Sequence, residues 1–125
     1  HDGRFWLTCT DQRKRVAAVR RNPAVVITIS SAGTAIRPKR TVSYKGRCTV
    51  RADRETKDWL LPAIARRLRP TDPAAADAFT KALDTPNRVI LEVEPTYRLG
   101  FDYRKHMARA PEAVAADERA DFGLA

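Results

Sequence analysis

Alternating hydrophobic and polar positions predict strands in several parts of the chain. Residues 4–10, 25–30 and 41–50 place an apolar side chain at nearly every second position, as a half-buried strand does. A turn-forming stretch at residues 30–34 is expected to join the second and third strands as a hairpin. Residues 88–94 alternate in the same way, and a further strand is expected over residues 97–103. Glu92 and Glu94 share one side of the 88–94 strand and are expected to face solvent.

Helical spacing of apolar residues appears between these strands. Residues 12–21 predict a short helix, and Asp53 is placed to cap a longer one with apolar positions three and four apart: Leu61, Ile64, Ala65 and Leu68. Pro62 is expected to kink or split this helix, because proline removes a backbone donor. Asp72 and Pro73 predict the start of another helix, as a capping residue followed by proline at the first position.

The order of these elements predicts the fold class. Strands precede and follow a helical insert, which gives a β-rich α+β domain, and four or five strands in so short a chain favour a small barrel. We predict one domain at residues 1–107 and a tail at 108–125, because the tail is rich in alanine and charge. A barrel with exposed strand edges would need a partner.

Charge is the strongest compositional feature. The 125 residues hold 24 Lys and Arg against 15 Asp and Glu, a net charge of +9, with a basic loop at residues 37–40. Such a surplus favours anionic partners, namely phosphates, acidic cofactors, nucleic acid or an anionic membrane face. Charge alone does not choose among these partners. No apolar run approaches the roughly 18–20 residues that cross a bilayer, and no membrane partner is expected.

The two cysteines indicate the compartment. Cys9 and Cys48 lack the spacing of a metal knuckle or a redox pair, and both fall on apolar phases of predicted strands. They are interpreted as small buried hydrophobes in a reducing compartment. Because the sequence also shows no signal peptide, a cytoplasmic location is expected.

No side chains form a convincing catalytic group. His106, beside Asp102, Tyr103 and Lys105, resembles a polar strand end more than a triad, and no His, Cys and carboxylate grouping has metal-ligand spacing. We therefore predict no catalytic side chain and no metal site. Any catalysis would be carried by a cofactor that the protein binds and orients.

Residues 8–15 are the strongest candidate for binding chemistry. Arg13, Lys14 and Arg15 stand where a strand ends and a helix begins, although cations are unfavourable at a helix N-terminus. A bound phosphate would reverse this balance, since it could accept from the free N–H groups, the Thr hydroxyls and the basic side chains. In the alternative interpretation, Asp11 caps the helix and the cations point into water.

The same segment carries a resemblance to a known family. Residues 2–8, Asp-Gly-Arg-Phe-Trp-Leu-Thr, followed by the basic run 13–15 and Arg-Arg-Asn-Pro at 20–23, resemble the strand, phosphate-binding turn and helix of the pyridoxamine 5′-phosphate oxidase-like family. Residues 41–48 are similar to that family's long strand ending in Gly-Arg. Residues 88–95 and 101–105 resemble its last two strands, especially in actinobacterial members. The resemblance covers residues 2 to about 107.

The resemblance implies a split β-barrel of the FMN-binding type, with a helical insert. It implies a homodimer that holds a flavin mononucleotide in each of two clefts at the subunit interface and transfers hydride to or from a small-molecule substrate. Family members usually have a helix and two strands before the segment that opens this chain. We expect either that such strands precede the sequence given or that the barrel is reduced.

The resemblance also assigns cofactor-binding residues, which are Thr8, Thr10, Arg13, Lys14, Arg15 and Thr41. Lys14 and Arg15 match the basic pair that binds the phosphate, while Arg13 stands where a serine is common. The two threonines of the strand would bond phosphate or ribityl oxygens. Thr41 stands where relatives place a polar residue near the isoalloxazine ring.

Three alternatives to an FMN-dependent oxidoreductase stay open. The first is an F420-dependent reductase of the same fold, whose acidic cofactor suits the +9 charge. The second is a non-catalytic flavin-binding protein. The third is a basic nucleic-acid-binding module, suggested by Trp6, Tyr44 and Trp59 among cations.

Overall fold

The computed structural model describes residues 1–36 and 40–124, so residues 37–39 of the predicted basic loop lie outside the described residues. The strands and helices follow in chain order: β1 Phe5–Thr10, α1 Lys14–Arg21, β2 Ala24–Ser30, β3 Arg40–Arg51, α2 Arg54–Leu68, α3 Pro73–Leu83, β4 Arg88–Asp102 and α4 Tyr103–Met107. Two 3₁₀ helices follow, at Pro111–Ala113 and Ala116–Phe122. None of the helices within the described ranges has the length and hydrophobicity of a membrane span.

The strands form one four-stranded sheet in the order β1-β4-β3-β2. β1 and β4 are antiparallel, with Phe5 opposite Val93 and Thr10 opposite Arg88. β2 and β3 form the predicted hairpin: Ser31 N donates to Arg40 O at 2.9 Å, and the Thr28 and Ser43 hydroxyls are 2.9 Å apart.

The C-terminal strand differs from the prediction. Residues 97–103 are not a separate strand, because β4 runs without a break from Arg88 to Asp102 and passes through Pro95. A proline in a strand removes one ladder donor, which is tolerated where a strand lacks a neighbour. β1 pairs with β4 only as far as Val93, so Pro95 lies beyond that ladder.

The helix starts agree with the capping signals. Asp53 Oδ1 accepts a hydrogen bond from Thr56 N at 2.8 Å at the start of α2, and Asp72 Oδ1 accepts from Ala75 N at 2.9 Å at the start of α3. Pro62 lies inside α2 and does not split it. Helix α1 begins at Lys14, two residues later than predicted.

The chain contains two compact units. Strands β2, β3 and β4 each contribute residues to both of them. Unit 1 comprises His1–Val25 and Gly46–Pro95, and unit 2 comprises Val26–Lys45 and Thr96–Ala125. The core of unit 1 is supplied by α1, α2, α3, β3 and β4, with these side chains among the most buried: Val16, Leu61, Ala65, Ala76 and Ile90. In unit 2, Met107 and Val114 are buried. The single-domain boundary at residue 107 stays a prediction.

The prediction that Glu92 faces solvent is wrong. Its side chain is 7% exposed, with Oε1 3.0 Å from Arg4 Nη1 and Oε2 2.6 Å from Arg51 Nε. The hydrogen bond from Arg51 to Glu92 raises the pKa of the guanidinium. Five consecutive residues of β4, from Val89 to Val93, are buried, so both faces of this stretch are covered. The alternation of apolar and polar residues along one strand cannot show that a carboxylate is buried beside arginines from other segments of the chain.

Candidate functional site

The turn between β1 and α1 has the geometry of an uncapped helix start. Arg13 is the N-cap residue, with extended backbone (φ −69°, ψ 134°) and no side-chain capping bond. The first turn of α1 contains no acidic residue. The four N-terminal N–H groups of a helix lack intrahelical partners and carry a partial positive charge. This end of α1 therefore presents donors and positive charge without a capping side chain.

Asp11 is not the N-cap residue of α1 and makes no capping bond there, so the alternative in which it caps the helix is wrong. Its N–H donates to Asn87 O at 2.8 Å, and its Oδ1 lies 2.7 Å from Arg20 Nη2. This oxygen is screened from solvent and pairs with the Arg20 guanidinium, and among the described residues it accepts no hydrogen bond. The one carboxylate within the turn is held by the end of α1, away from its start.

The structure places five of the predicted residues in β1 and in the turn and helix start that follow it. Arg13, Lys14 and Arg15 are consecutive and exposed, at the N-cap and the first two helical positions. Thr10 ends β1, and its carbonyl accepts from Arg13 N at 3.2 Å. Thr8 lies deeper in the strand, where its hydroxyl donates to Val89 O at 3.0 Å. Since that hydrogen is used inside the sheet, Thr8 positions the strand rather than donating to a ligand.

Thr41, the sixth predicted residue, belongs to unit 2, whereas the turn belongs to unit 1. It is half-buried near the start of β3 and lines a pocket with a volume of about 890 Å³. The walls of this pocket come from the end of β2, the start of β3 and the end of β4 with α4. The assignment of Thr41 to the cofactor stays a prediction. The pocket around it could not be seen in the sequence, because its walls come from distant segments.

Charge in this pocket is predominantly positive. Arg40, Arg98 and Lys105 line it, and Asp102 is the one acid among its described lining residues. Asp102 Oδ1 accepts from the backbone N–H groups of Arg104 at 3.0 Å and Lys105 at 3.3 Å. Asp102 Oδ1 thus caps the start of α4, and the three cations still outnumber this single carboxylate among the described lining residues.

His106 lies just after the polar end of β4, in α4. His106 is exposed, and its ring centroid lies 5.6 Å from that of Phe101. Within residues 1–36 and 40–124 no carboxylate lies at ion-pair distance from it, and no three metal-ligating side chains form a group.

Both cysteines are free thiols. Cys48 is buried on β3 and Cys9 is half-buried on β1. Burial raises the pKa of the Cys48 thiol, and Cys9 and Glu92 nearby add to this effect. Because the thiolate is the reactive form, Cys48 is chemically quiet at neutral pH.

Comparisons with known proteins give a match at the level of structure. No protein-family model matches the sequence, and no curated protein is significantly similar to it. The conserved hypothetical protein Rv2991 from Mycobacterium tuberculosis is similar with a TM-score of 0.68 and 19% identity, over 85% of this chain and 65% of that one. The chain thus spans slightly less than two thirds of this neighbour's length.

Two further solved structures share the fold. A candidate pyridoxamine 5′-phosphate oxidase from Listeria innocua gives a TM-score of 0.56 at 19% identity, over 81% of this chain and 71% of that one. An FAD-binding protein from Mesorhizobium loti gives a TM-score of 0.53 at 16% identity, over 80% of this chain and 68% of that one. Likeness at such identity establishes the fold alone. The predicted fold class, a β-rich α+β split β-barrel with a helical insert, is confirmed.

Proposed function

We propose that this protein binds a flavin-type cofactor, FMN or alternatively F420, with the cofactor phosphate at the turn between β1 and α1. The observation that carries this proposal is the uncapped start of α1 behind three exposed cations. Each cation there costs about 0.3–1 kcal/mol in the absence of an anion. A bound phosphate would attract these cations and accept hydrogen bonds from the free N–H groups, so the arrangement would become favourable.

The residues of the turn have distinct roles in this proposal. Lys14 and Arg15 supply charge and hydrogen-bond donors at the first two helical positions, and their backbone N–H groups complete the cradle. Arg13, in the position where a serine is common in the resembled family, replaces a hydroxyl donor by a charged one. Thr10 supplies a hydroxyl at the end of β1. Thr8, bonded to Val89 O, fixes the direction of the strand that leads into the turn.

A bound flavin accepts or donates a hydride, so the proposed activity is that of an oxidoreductase acting on a small-molecule substrate. The protein would bind and orient the cofactor, and no catalytic side chain is assigned. We place the activity in the cytoplasm, and the likeness of residues 88–95 and 101–105 to actinobacterial members of the family belongs to the same proposal. A non-catalytic flavin-binding protein would use the same turn.

A homodimer is part of this proposal. Tyr97, Leu99 and Phe101 alternate along β4 and therefore lie on one face of the strand. They are 59%, 43% and 51% exposed, which is unusual for a row of large apolar side chains. A second copy of the chain would remove this row from water.

The packing of the tryptophans favours a flavin protein over a nucleic-acid-binding module. Trp6 and Trp59 contact each other edge to face, with ring centroids 5.0 Å apart, and Trp6 Nε1 donates to His1 O at 3.2 Å. Single-stranded nucleic acid requires exposed aromatic faces on which bases can stack. These two rings instead stabilise unit 1.

Titration with FMN and F420 tests the proposal. The Lys14→Gln/Arg15→Gln variant should bind the preferred cofactor at least about tenfold more weakly, because two charge-assisted contacts to phosphate are lost. The matched control is Arg66→Gln/Arg67→Gln, which removes two consecutive exposed cations from the last turn of α2. Riboflavin, which lacks the phosphate, should bind the wild-type protein and the Lys14→Gln/Arg15→Gln variant equally. Equal affinity of the two double variants for the preferred cofactor, or binding of neither cofactor, would overturn the proposal.

A further inference from the structure

The pocket of unit 2 has a wall fixed by reciprocal hydrogen bonds. Ser31 N donates to Arg40 O at 2.9 Å, and Arg40 N donates to Ser31 Oγ at 2.8 Å. These bonds join the residue after β2 to the first residue of β3, so this side of the pocket is built by the hairpin itself. At about 890 Å³, the pocket is within the range of small-molecule sites.

Two serine hydroxyl groups on this wall accept backbone hydrogen bonds. Ser31 Oγ accepts from Arg40 N, and Ser30 Oγ accepts from Ala32 N at 3.1 Å. A hydroxyl that accepts a backbone N–H keeps its own hydrogen for another acceptor. Both serines line the pocket, so a ligand there meets hydroxyl donors.

Within the described residues, the cations that line the pocket have no carboxylate partner. Among the described residues, no carboxylate lies within ion-pair distance of Arg40, Arg98 or Lys105. Asp102, the nearby acid, already accepts two backbone N–H groups. Arg is the side chain best suited to bind a planar carboxylate through two parallel hydrogen bonds.

Apolar side chains complete the lining. Ile29 and Val42 face the same cavity as the cations. Ile29 is 45% exposed, although a large apolar side chain gains free energy by leaving water. A ligand with an apolar body would cover them while its acidic end meets the cations and hydroxyls.

We propose that this pocket is a binding site for a small apolar carboxylate, with Arg98 and Lys105 as its charge partners and Ile29 and Val42 against its apolar body. The site lies entirely within unit 2 and uses none of the residues of the phosphate-binding turn. The inference therefore goes beyond the proposed flavin function and does not depend on it.

The test uses 2-naphthoate as the probe and 2-naphthalenemethanol as its uncharged counterpart. Calorimetric titration of the full chain should show saturable binding of 2-naphthoate, at least about tenfold tighter than that of the alcohol. In amide NMR spectra, the shifts should be centred on pocket residues such as Ser31, Thr41 and Gly100. No saturation, equal affinity for the alcohol, or shifts confined to unit 1 would overturn the proposal.

Matched variants locate the charge requirement. Arg98→Gln and Lys105→Gln should each weaken 2-naphthoate binding about tenfold and leave binding of the alcohol unchanged. Arg109→Gln removes an exposed cation of unit 2 that does not line the pocket and should bind as wild type does. The Lys14→Gln/Arg15→Gln variant should also bind the probe normally. Equal weakening by Arg98→Gln and Arg109→Gln would show a nonspecific charge effect and contradict the assignment.

Discussion

At the scale of single residues, Glu92 shows how a buried carboxylate stabilises the sheet. It lies between Arg4 and Arg51, whose side chains are 42% and 45% exposed and so remain partly hydrated. Glu92→Gln keeps the size of the side chain but removes its charge, and should lower the free energy of unfolding by about 1–3 kcal/mol. Urea denaturation measures this. Glu94→Gln, an exposed change on the same strand, should cost under about 0.5 kcal/mol, and equal effects would contradict the assigned role.

Gly46 shows a second residue-scale constraint, because it allows two backbones to approach closely. A Cβ at this position would lie 2.5 Å from Glu94 O and 3.0 Å from Val93 Cγ1. Gly46→Ala should therefore destabilise the protein by about 1–3 kcal/mol, since a backbone oxygen cannot simply move aside. Gly100→Ala is the control, because its Cβ would meet nothing within 4 Å. Thermal unfolding of both variants measures this effect. An equal fall in their midpoint temperatures would contradict the role of Gly46.

At the scale of elements, α2 depends on the capping carboxylate of Asp53. Hydrogen bonds from the side chain and backbone of Thr56 lower the pKa of this carboxyl group. A lowered folded-state pKa means that the stabilisation is present above the unfolded-state value of about 4 and is lost as pH falls through the folded-state pKa. Asp53→Ala should cost about 1 kcal/mol at pH 7 and progressively less in acid.

Asp53→Asn separates the hydrogen bond from the charge. Asparagine is a comparable N-cap residue but does not titrate. Its free energy of unfolding at pH 7 should be close to that of the wild type. Urea titrations from pH 7 to pH 3 should show the wild type losing stability relative to Asp53→Asn in acid. A constant difference across this range would contradict the role of the Asp53 carboxylate.

The elements also show which features the sequence could predict. Asp53, Asp72 and Pro73 act through bonds to residues a few positions away, so local pattern located both helix starts. Strand alternation and element order predicted a β-rich α+β domain with a small barrel, and the family resemblance implied the split β-barrel. The passage of β4 through Pro95 depends on where the ladder with β1 ends, which is a non-local fact. The burial of Glu92 and the pocket around Thr41 are non-local for the same reason, since their contacts come from segments far apart in sequence.

At the scale of the whole molecule, charge and exposed apolar surface point to different partners. The net charge of +9 favours small anions and opposes association of like copies at low ionic strength. The row of Tyr97, Leu99 and Phe101 favours association, and this contribution does not weaken when salt screens the charge. A homodimer formed through this row should therefore be more stable at moderate salt than at low salt.

Light scattering across a salt series tests this expectation. The wild type should have a mass of twice 14.0 kDa at 0.3 M salt, and Leu99→Glu should shift it to the monomer, because a carboxylate would be buried in the interface at a cost of several kcal/mol. Leu68→Glu is the matched control: Leu68 is 53% exposed, ends α2 and belongs to unit 1. It should leave the dimer intact. A monomeric wild type, or dissociation by both variants alike, would contradict an interface at this row. A specific interface is disrupted only by a change on the buried face, whereas a general effect of added charge would be the same for both variants.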